Sequence, residues 1–335
     1  MVFVFDAITA LEFYRSIYPT ERSPVRFENI PAWEECAVTE EDVWSMAPAF
    51  VTPSFLECVG GVIHVTSFDP TRRLKSKTHQ THAWAGRIPK DSFCQFDVGV
   101  FLPSPQFIFL QAASRLNLAQ LIALGDELCG TYSFDKSKAR GLRQREVPLT
   151  SVHVLDAYLS YAKGCRGYNR AKRALGHIVD GSASPAETRD EMELCLPHKL
   201  GGYALEKPKM NEQIILSRQA SVVAKKTFCR ADLLWKRDSP NDSTIIEHQG
   251  EFDHMESNRF NDDRARVNAL RLMGYEVIEL TRSQVWDLRV FEEIALEIAK
   301  RTGKRIRTEN RGLTPQRKEL RSILADWNAS YGRKM

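Results

Sequence analysis

Residues 229–281 carry three short apolar runs separated by turn chemistry and one helix-length stretch, and this limits the fold more than any other feature of the chain. CRADLLW (229–235) and STIIEHQG (243–250) are joined by the hairpin-length loop KRDSPND. YEVIELT follows a stretch, 258–273, that stops at Gly274. Runs this short, bounded by turn residues, predict buried strands, because helices need ~10–12 residues. A helix is expected to start at Ser184. A last one is expected over SQVWDLRVFEEIALEIAK, where Leu288, Phe291, Ile294 or Ala295, and Ile298 share a face. Helix, strand, strand, helix, strand, helix is a compact α/β unit.

Two carboxylates stand on the paired runs. Asp232 sits between Ala231 and Leu233-Leu234-Trp235, and Glu247 follows Ile245-Ile246 fifteen residues later. Acids on adjacent strands can converge on one divalent cation, and oxygen ligands suit Mg²⁺ or Mn²⁺. Such an ion activates water and offsets the charge that builds on a phosphodiester. The same two residues would equally serve as solvated strand-end charges. Gln249 lies two residues past Glu247 and shares its strand face.

Four elements in order carry a resemblance: SPAETR, RADLLW, IIEHQGEFDH and DDRARVNALRLMGYEVIELT. Over about 100 residues the chain resembles the small endonuclease domains related to the very-short-patch repair nuclease, within the PD-(D/E)xK, restriction-endonuclease-like superfamily. Ser184, Pro185, Glu187 and Arg189 match the first motif, and Asp232 the second. Glu247, Gly250 and His254 match the third, and Asp263, Arg266, Leu270 and Gly274 the fourth. The resemblance implies a three-layer restriction-endonuclease-like domain over 181–300. It also implies a Mg²⁺ site at Asp232 and Glu247, with Glu187 approaching from the first helix. Glu187 also completes a capping box with Ser184 and a first-turn proline, and both roles can hold together. His254 would orient a phosphate or a water. Asp263 and Arg266 stand at the spacing of a helical ion pair, or Arg266 holds a phosphate. The superfamily often places Lys where Gln249 stands. An amide can hydrogen-bond a water but brings no charge, so Lys236, Lys225 or Lys226 would have to supply it.

Upstream, Asp6 can cap a helix carrying Ile8, Leu11, Phe13 and Tyr14. GGVIHVTS (60–67) and FDVGVFLP (96–103) each read as a strand. PQFIFLQAASR and LNLAQLIALGDELC read as two helices. Residues 135–146 read as a charged loop, two further helices follow, and DGSASP (180–185) is a turn. The parsing is an α+β domain over 1–134, a linker and helical connector over 135–180, the nuclease-like domain, and a basic tail over 301–335. Residues 60–130, with the basic turn Arg72-Arg73 to Lys77, resemble the middle part of the AbiEi-type antitoxins of abortive-infection systems. That implies DNA binding or toxin neutralisation, with a cognate toxin or defence-system partner. His79 and His82, three apart with no third ligand nearby, read as surface histidines.

Charge and composition narrow the function classes. Residues 299–321 hold nine Lys or Arg and two Glu, +7, against +4 for the whole chain. Lys304, Arg305 and Arg307 are therefore candidate contacts to a DNA backbone, held by counterion release, or parts of a solvated tail. Seven cysteines are scattered singly, as expected for reduced thiols in a cytoplasm. The start, MVFVFDAITALEFY, lacks a basic leader, and no run reaches the ~20 apolar residues of a membrane helix. Nucleotide-loop, GxSxG and HExxH motifs are absent. The expectation is a Mg²⁺-dependent DNA endonuclease of a bacterial defence or repair type. The alternative is an AbiEi-type DNA-binding regulator carrying an inactive nuclease-like domain.

Overall fold

The structure, a computed structural model, describes residues 3–16, 25–27, 41, 53–69, 71, 75–84, 86–97, 99–135, 138, 140–249, 257–306 and 315–334. His254, Arg307, Arg72 and Arg73 lie outside the described residues. The chain is mixed α/β and forms two compact units, Met1–Ile178 with Asp326–Met335, and Val179–Ala325. The helices read as a connector thus cluster with the first unit.

In chain order the first unit holds β1 (Phe3–Val4), α1 (Ala7–Ser16), β2 (Val25–Phe27), α2 (Pro53–Cys58), β3 (Ile63–Ser67) and β4 (His79–Ala83). There follow β5 (Phe93–Asp97), β6 (Val100–Pro103), α3 (Pro105–Ala112), α4 (Leu118–Cys129), β7 (Tyr132–Phe134), β8 (Leu142–Gln144), α5 (Val152–Tyr161) and α6 (Tyr168–Leu175). One sheet runs β1-β6-β5-β2, and β3-β4 and β7-β8 pair separately. The run 96–103, expected as one strand, is instead a hairpin. It turns at Gly99, whose φ of 74° suits a residue without Cβ. The charged loop after Asp135 likewise contains β8. Ser104 caps α3 ahead of Pro105, and Asn117 with Gln120 forms a capping box on α4. Tyr14, Phe101, Leu102, Phe107 and Phe109 are fully buried. Among them Arg15 is buried too, its Nε and Nη2 donating to the Glu127 carboxylate at 2.8 and 2.6 Å.

The histidine expectation needs correcting. His79 is fully buried, because β4 pairs in parallel with β3 and sets His79 opposite buried Ile63. His82 is partly buried, and its Nε2 lies 2.8 Å from Nδ1 of His64 in a stacked pair of rings.

The second unit holds α7 (Pro185–Cys195), β9 (Lys209–Ile215), α8 (Arg218–Ala224), β10 (Phe228–Trp235), β11 (Thr244–His248) and α9 (Ser257–Leu272). Next come β12 (Glu276–Leu280), α10 (Arg282–Trp286), α11 (Leu288–Arg301) and most of α12 (Pro315–Lys334). The sheet order is β12-β11-β10-β9, with β11 and β12 parallel and the other neighbours antiparallel. Adjacent Ile245 and Ile246 on β11 enter two different apolar clusters, so both faces of the sheet are covered. Ile246 packs with Leu194, Val285, Phe291 and Ile298, and Ile245 with Ala220, Ala224, Val267 and Leu270. The stretch expected as one final helix is two, broken at Asp287, whose side chain caps α11 by accepting from the N–H groups of Arg289 and Val290.

The expected tail contains α12. Its Leu320 is buried, Arg321 Nη2 meets Glu193 Oε2 at 2.6 Å, and the Arg317 guanidinium lies over the Tyr203 ring at 4.1 Å. These two arginines of the basic stretch are therefore engaged within the unit, whereas Lys304 and Arg305 are exposed. Among the described residues no helix is long and apolar enough to cross a membrane.

Candidate metal centre

β10 and β11 set the two acids face to face. Leu233 pairs with Ile246 in an antiparallel ladder, which puts Asp232 opposite Glu247. Across the other edge of β10, Ala231 pairs with Glu212 and Leu233 with Met210, so Asp232 also stands opposite Asn211. At this point both strands change faces. Cys229 and Ala231 belong to one apolar cluster and Leu233 to the other, although two-residue spacing would keep them together. On β9, Ile214 and Met210 divide in the same way. Asn211 makes the change with a φ of 49°, a left-handed conformation that Asn tolerates better than most residues. The twist re-aims Asp232, and its Oδ2 accepts the backbone N–H of His248 at 2.8 Å.

Glu187 arrives from the first turn of α7. Ser184 Oγ accepts the Glu187 N–H at 3.2 Å and donates to its Oε1 at 2.8 Å. Oε2 accepts from the Ala183 N–H at 2.8 Å and from Asn211 Nδ2 at 2.6 Å. Glu187 is thus a helix cap, and it is also a neighbour of Asp232. Burial pushes its carboxyl up to about 7, and the Asp232 charge pushes in the same direction.

Glu247 is 2% exposed, and among the described residues no side chain gives its carboxyl a well-aligned hydrogen bond, while the backbone N–H of Asp232 faces it across the ladder. Arg266 Nη2, from α9, lies 2.7 Å from Oε2 as an ion pair outside hydrogen-bond alignment. Burial, then repulsion from Asp232, pushes Glu247 up to about 9 and outweighs the Arg266 cation. Asp232 is raised as well, by burial first, with Arg266 and the His248 N–H opposing. Arg266 is 3.8 Å from Asp263, so it faces the carboxylate centre more closely than its helical neighbour.

Two further residues belong to the cluster, and neither was singled out from the sequence. Asp190 is buried one turn after Glu187. Its Oδ2 lies 3.2 Å from His248 Nδ1, and its Oδ1 accepts from Arg189 at 2.9 and 3.1 Å. The signals were the Glu187–Asp190 spacing on one helix face and a histidine directly after Glu247. Gln249 is exposed and its amide donates to Glu279 Oε2 at 2.8 Å. Lys236 is exposed beyond the end of β10, and Lys225 and Lys226 are exposed at the end of α8. A cavity of about 20 Å³ opens beside Glu247, lined also by His248, Gln249, Asp263, Arg266 and Glu279. Among the described residues no three His, Cys, Asp or Glu side chains stand at metal-ligand spacing. Comparison of the chain with protein-family models, with curated proteins and with solved structures finds no match.

Proposed function

We propose that the second unit is a restriction-endonuclease-like domain that hydrolyses DNA phosphodiester bonds with a divalent cation, Mg²⁺ or Mn²⁺. The observation that carries this reading is the pair of acids itself, Glu247, buried to 2% exposure, facing Asp232 on the adjacent strand. A sheet covered by helices on both faces agrees with it. The oxygen donors of Asp232 and Glu247 suit a hard cation in kind, and the remaining ligands would be left to water and the phosphodiester. Carboxylate oxygens are such an ion's preferred ligands, and the cavity of about 20 Å³ on the Glu247 side, which Asp232 does not line, has room for one water-sized particle. Asp232 and Glu247 would hold the ion, which when bound supplies Lewis-acid activation of water and offsets charge on the phosphodiester. Glu187, fixed by Ser184, Ala183 and Asn211, keeps a third carboxyl beside Asp232. His248 is oriented by Asp190, which meets its Nδ1 at 3.2 Å, and Gln249 can hydrogen-bond a water. Exposed Arg218, Lys225, Lys226 and Arg230 follow one another from α8 into β10. None of them has an ion pair among the described residues, and they form a run of cations suited to a DNA backbone.

One observation favours a second reading. Arg266 Nη2 stands 2.7 Å from Glu247 Oε2, where a bound cation would compete with it, as in a nuclease-like domain that grips DNA without cutting it. In that reading the whole chain is a DNA-binding regulator or antitoxin. Plasmid incubation with Mg²⁺ or Mn²⁺ separates the two. Hydrolysis is expected to fall by at least ~100-fold in Asp232→Ala and Glu247→Gln. Absent cleavage together with retained salt-sensitive DNA binding selects the second reading.

A further inference from the structure

The first unit contains a separate cavity of about 380 Å³, lined by Lys75, Gln80, Thr81, His82, Arg115 and Arg166, with Ala83. Its volume falls within the ~300–1,000 Å³ of small-molecule sites. Three cations reach it from three places in the chain: the segment before β4, the end of α3, and the turn between α5 and α6. Lys75 and Arg166 are exposed, and neither has a counter-ion among the described residues.

The wall is built rather than incidental. Arg115 Nη1 donates to Oδ2 of Asp6 at 3.3 Å, and Asp6 is 1% exposed. That buried carboxylate anchors one corner of the guanidinium and leaves its remaining N–H groups for a ligand. His82 is held by its 2.8 Å contact with His64. Burial lowers both histidines, His64 to about 4, which disfavours a charge on the pair, and His82 alone of the two lines the wall. Thr81 is 7% exposed, and its hydroxyl has no hydrogen-bond partner among the described residues. A buried hydroxyl left unpaired is costly unless something meets it.

We propose that this cavity binds a small phosphorylated ligand carrying two or more negative charges. Arg115 and Arg166 offer guanidinium forks that match phosphate oxygens two at a time. Lys75 adds a point charge. The Thr81 hydroxyl and the Gln80 amide complete the contacts. Three cations against one buried carboxylate exceed what a single bound carboxylate would balance. The cavity is much larger than a phosphate group and leaves room for the body that carries it.

The test is isothermal titration calorimetry on the full chain with pyrophosphate, AMP and adenosine. Two octanucleotides, with a 5′-phosphate and with a 5′-hydroxyl, complete the set. Pyrophosphate and AMP are expected to bind and adenosine not to. Lys75→Ala and Arg166→Ala should each weaken binding about tenfold, and the pair about 100-fold, with unchanged thermal unfolding because both side chains are exposed. Thr81→Val should weaken it severalfold. Binding of AMP but not of the 5′-phosphorylated octanucleotide identifies a free phosphorylated molecule. Preference for the 5′-phosphorylated over the 5′-hydroxyl strand, lost in Arg166→Ala, identifies a strand end. No heat from any phosphorylated probe at millimolar concentration overturns the proposal. So does equal affinity in the Lys75→Ala/Arg166→Ala double variant.

Discussion

Arg266 Nη2 stands 2.7 Å from Glu247 Oε2, yet the carboxyl it faces is pushed up to about 9, because burial and the neighbouring acids together outweigh one guanidinium. The pair is therefore a full ion pair only in alkaline solution. Arg266→Ala is expected to cost little stability near pH 6, where Glu247 keeps its proton. The loss should grow toward pH 10, reaching up to about 3 kcal/mol. Urea unfolding of both proteins at the two pH values measures this, and a loss independent of pH contradicts it.

The same carboxyl sets a pH dependence for the intact protein. A folded-state pKa raised from 4.5 to about 9 means that the native state holds a proton that the unfolded chain releases. Its contribution to stability is complete below about 4.5 and is lost as pH climbs to about 9. Glu187, raised to about 7, acts in the same sense over the lower part of that window. Thermal unfolding in a chelator is expected to weaken from pH 5.5 to 8.5, less steeply in Glu247→Gln. Added Mg²⁺ should restore part of the loss at pH 8.5 in the parent protein alone. A parent and variant with superimposable pH profiles would refute the assignment.

Asn211 joins a left-handed backbone to two hydrogen bonds, donating Nδ2 to Glu187 Oε2 at 2.6 Å and to the Gly181 carbonyl at 3.0 Å. Asn211→Ala removes the bonds and strains the backbone, for about 2–3 kcal/mol. Asn211→Gly loses only the bonds and should be the milder change. Equal destabilisation of the two by chemical denaturation would show that the backbone conformation contributes nothing.

In the first unit, Glu127 accepts both Nε and Nη2 of Arg15, and both side chains are almost fully buried. Arg15 Nη1 also donates to buried Glu12 at 2.7 Å, so Glu127→Ala leaves the cation one of its two carboxylates and is expected to destabilise by about 3 kcal/mol. Arg15→Met combined with Glu127→Leu and Glu12→Gln, which removes all three charges, should recover most of that. A triple variant no more stable than Glu127→Ala would mean that the buried triad does more than neutralise itself.

Apolar periodicity made β10, β11, β12 and α9 legible, and with them the opposition of Asp232 and Glu247. The same cue failed where burial is polar. On α7 the buried side includes Glu187, Asp190, Glu191 and Glu193, so its sequence, PAETRDEMELC, reads as a solvated helix and hides Asp190. β9, KMNEQII, buries only Met210 and Ile214, and its face change at Asn211 erases the alternation that marks a strand. The separation of α10 from α11 turned on Asp287 acting as a cap, which the continuous apolar face of the later helix masks. His79 looked exposed because histidine usually is. Its burial depends on which strand β4 pairs with, information that local spacing does not carry.

The crossing of β9 and β10 from one apolar cluster to the other has a mechanical consequence. Each ribbon is stitched into both halves of the domain interior, with Trp235 anchored on one side of the sheet and Cys229 on the other. Peeling away either layer of helices would pull on the stitch that secures its opposite number, so the unit should come apart in a single cooperative event. The acidic centre sits on that seam, where local breathing is least free.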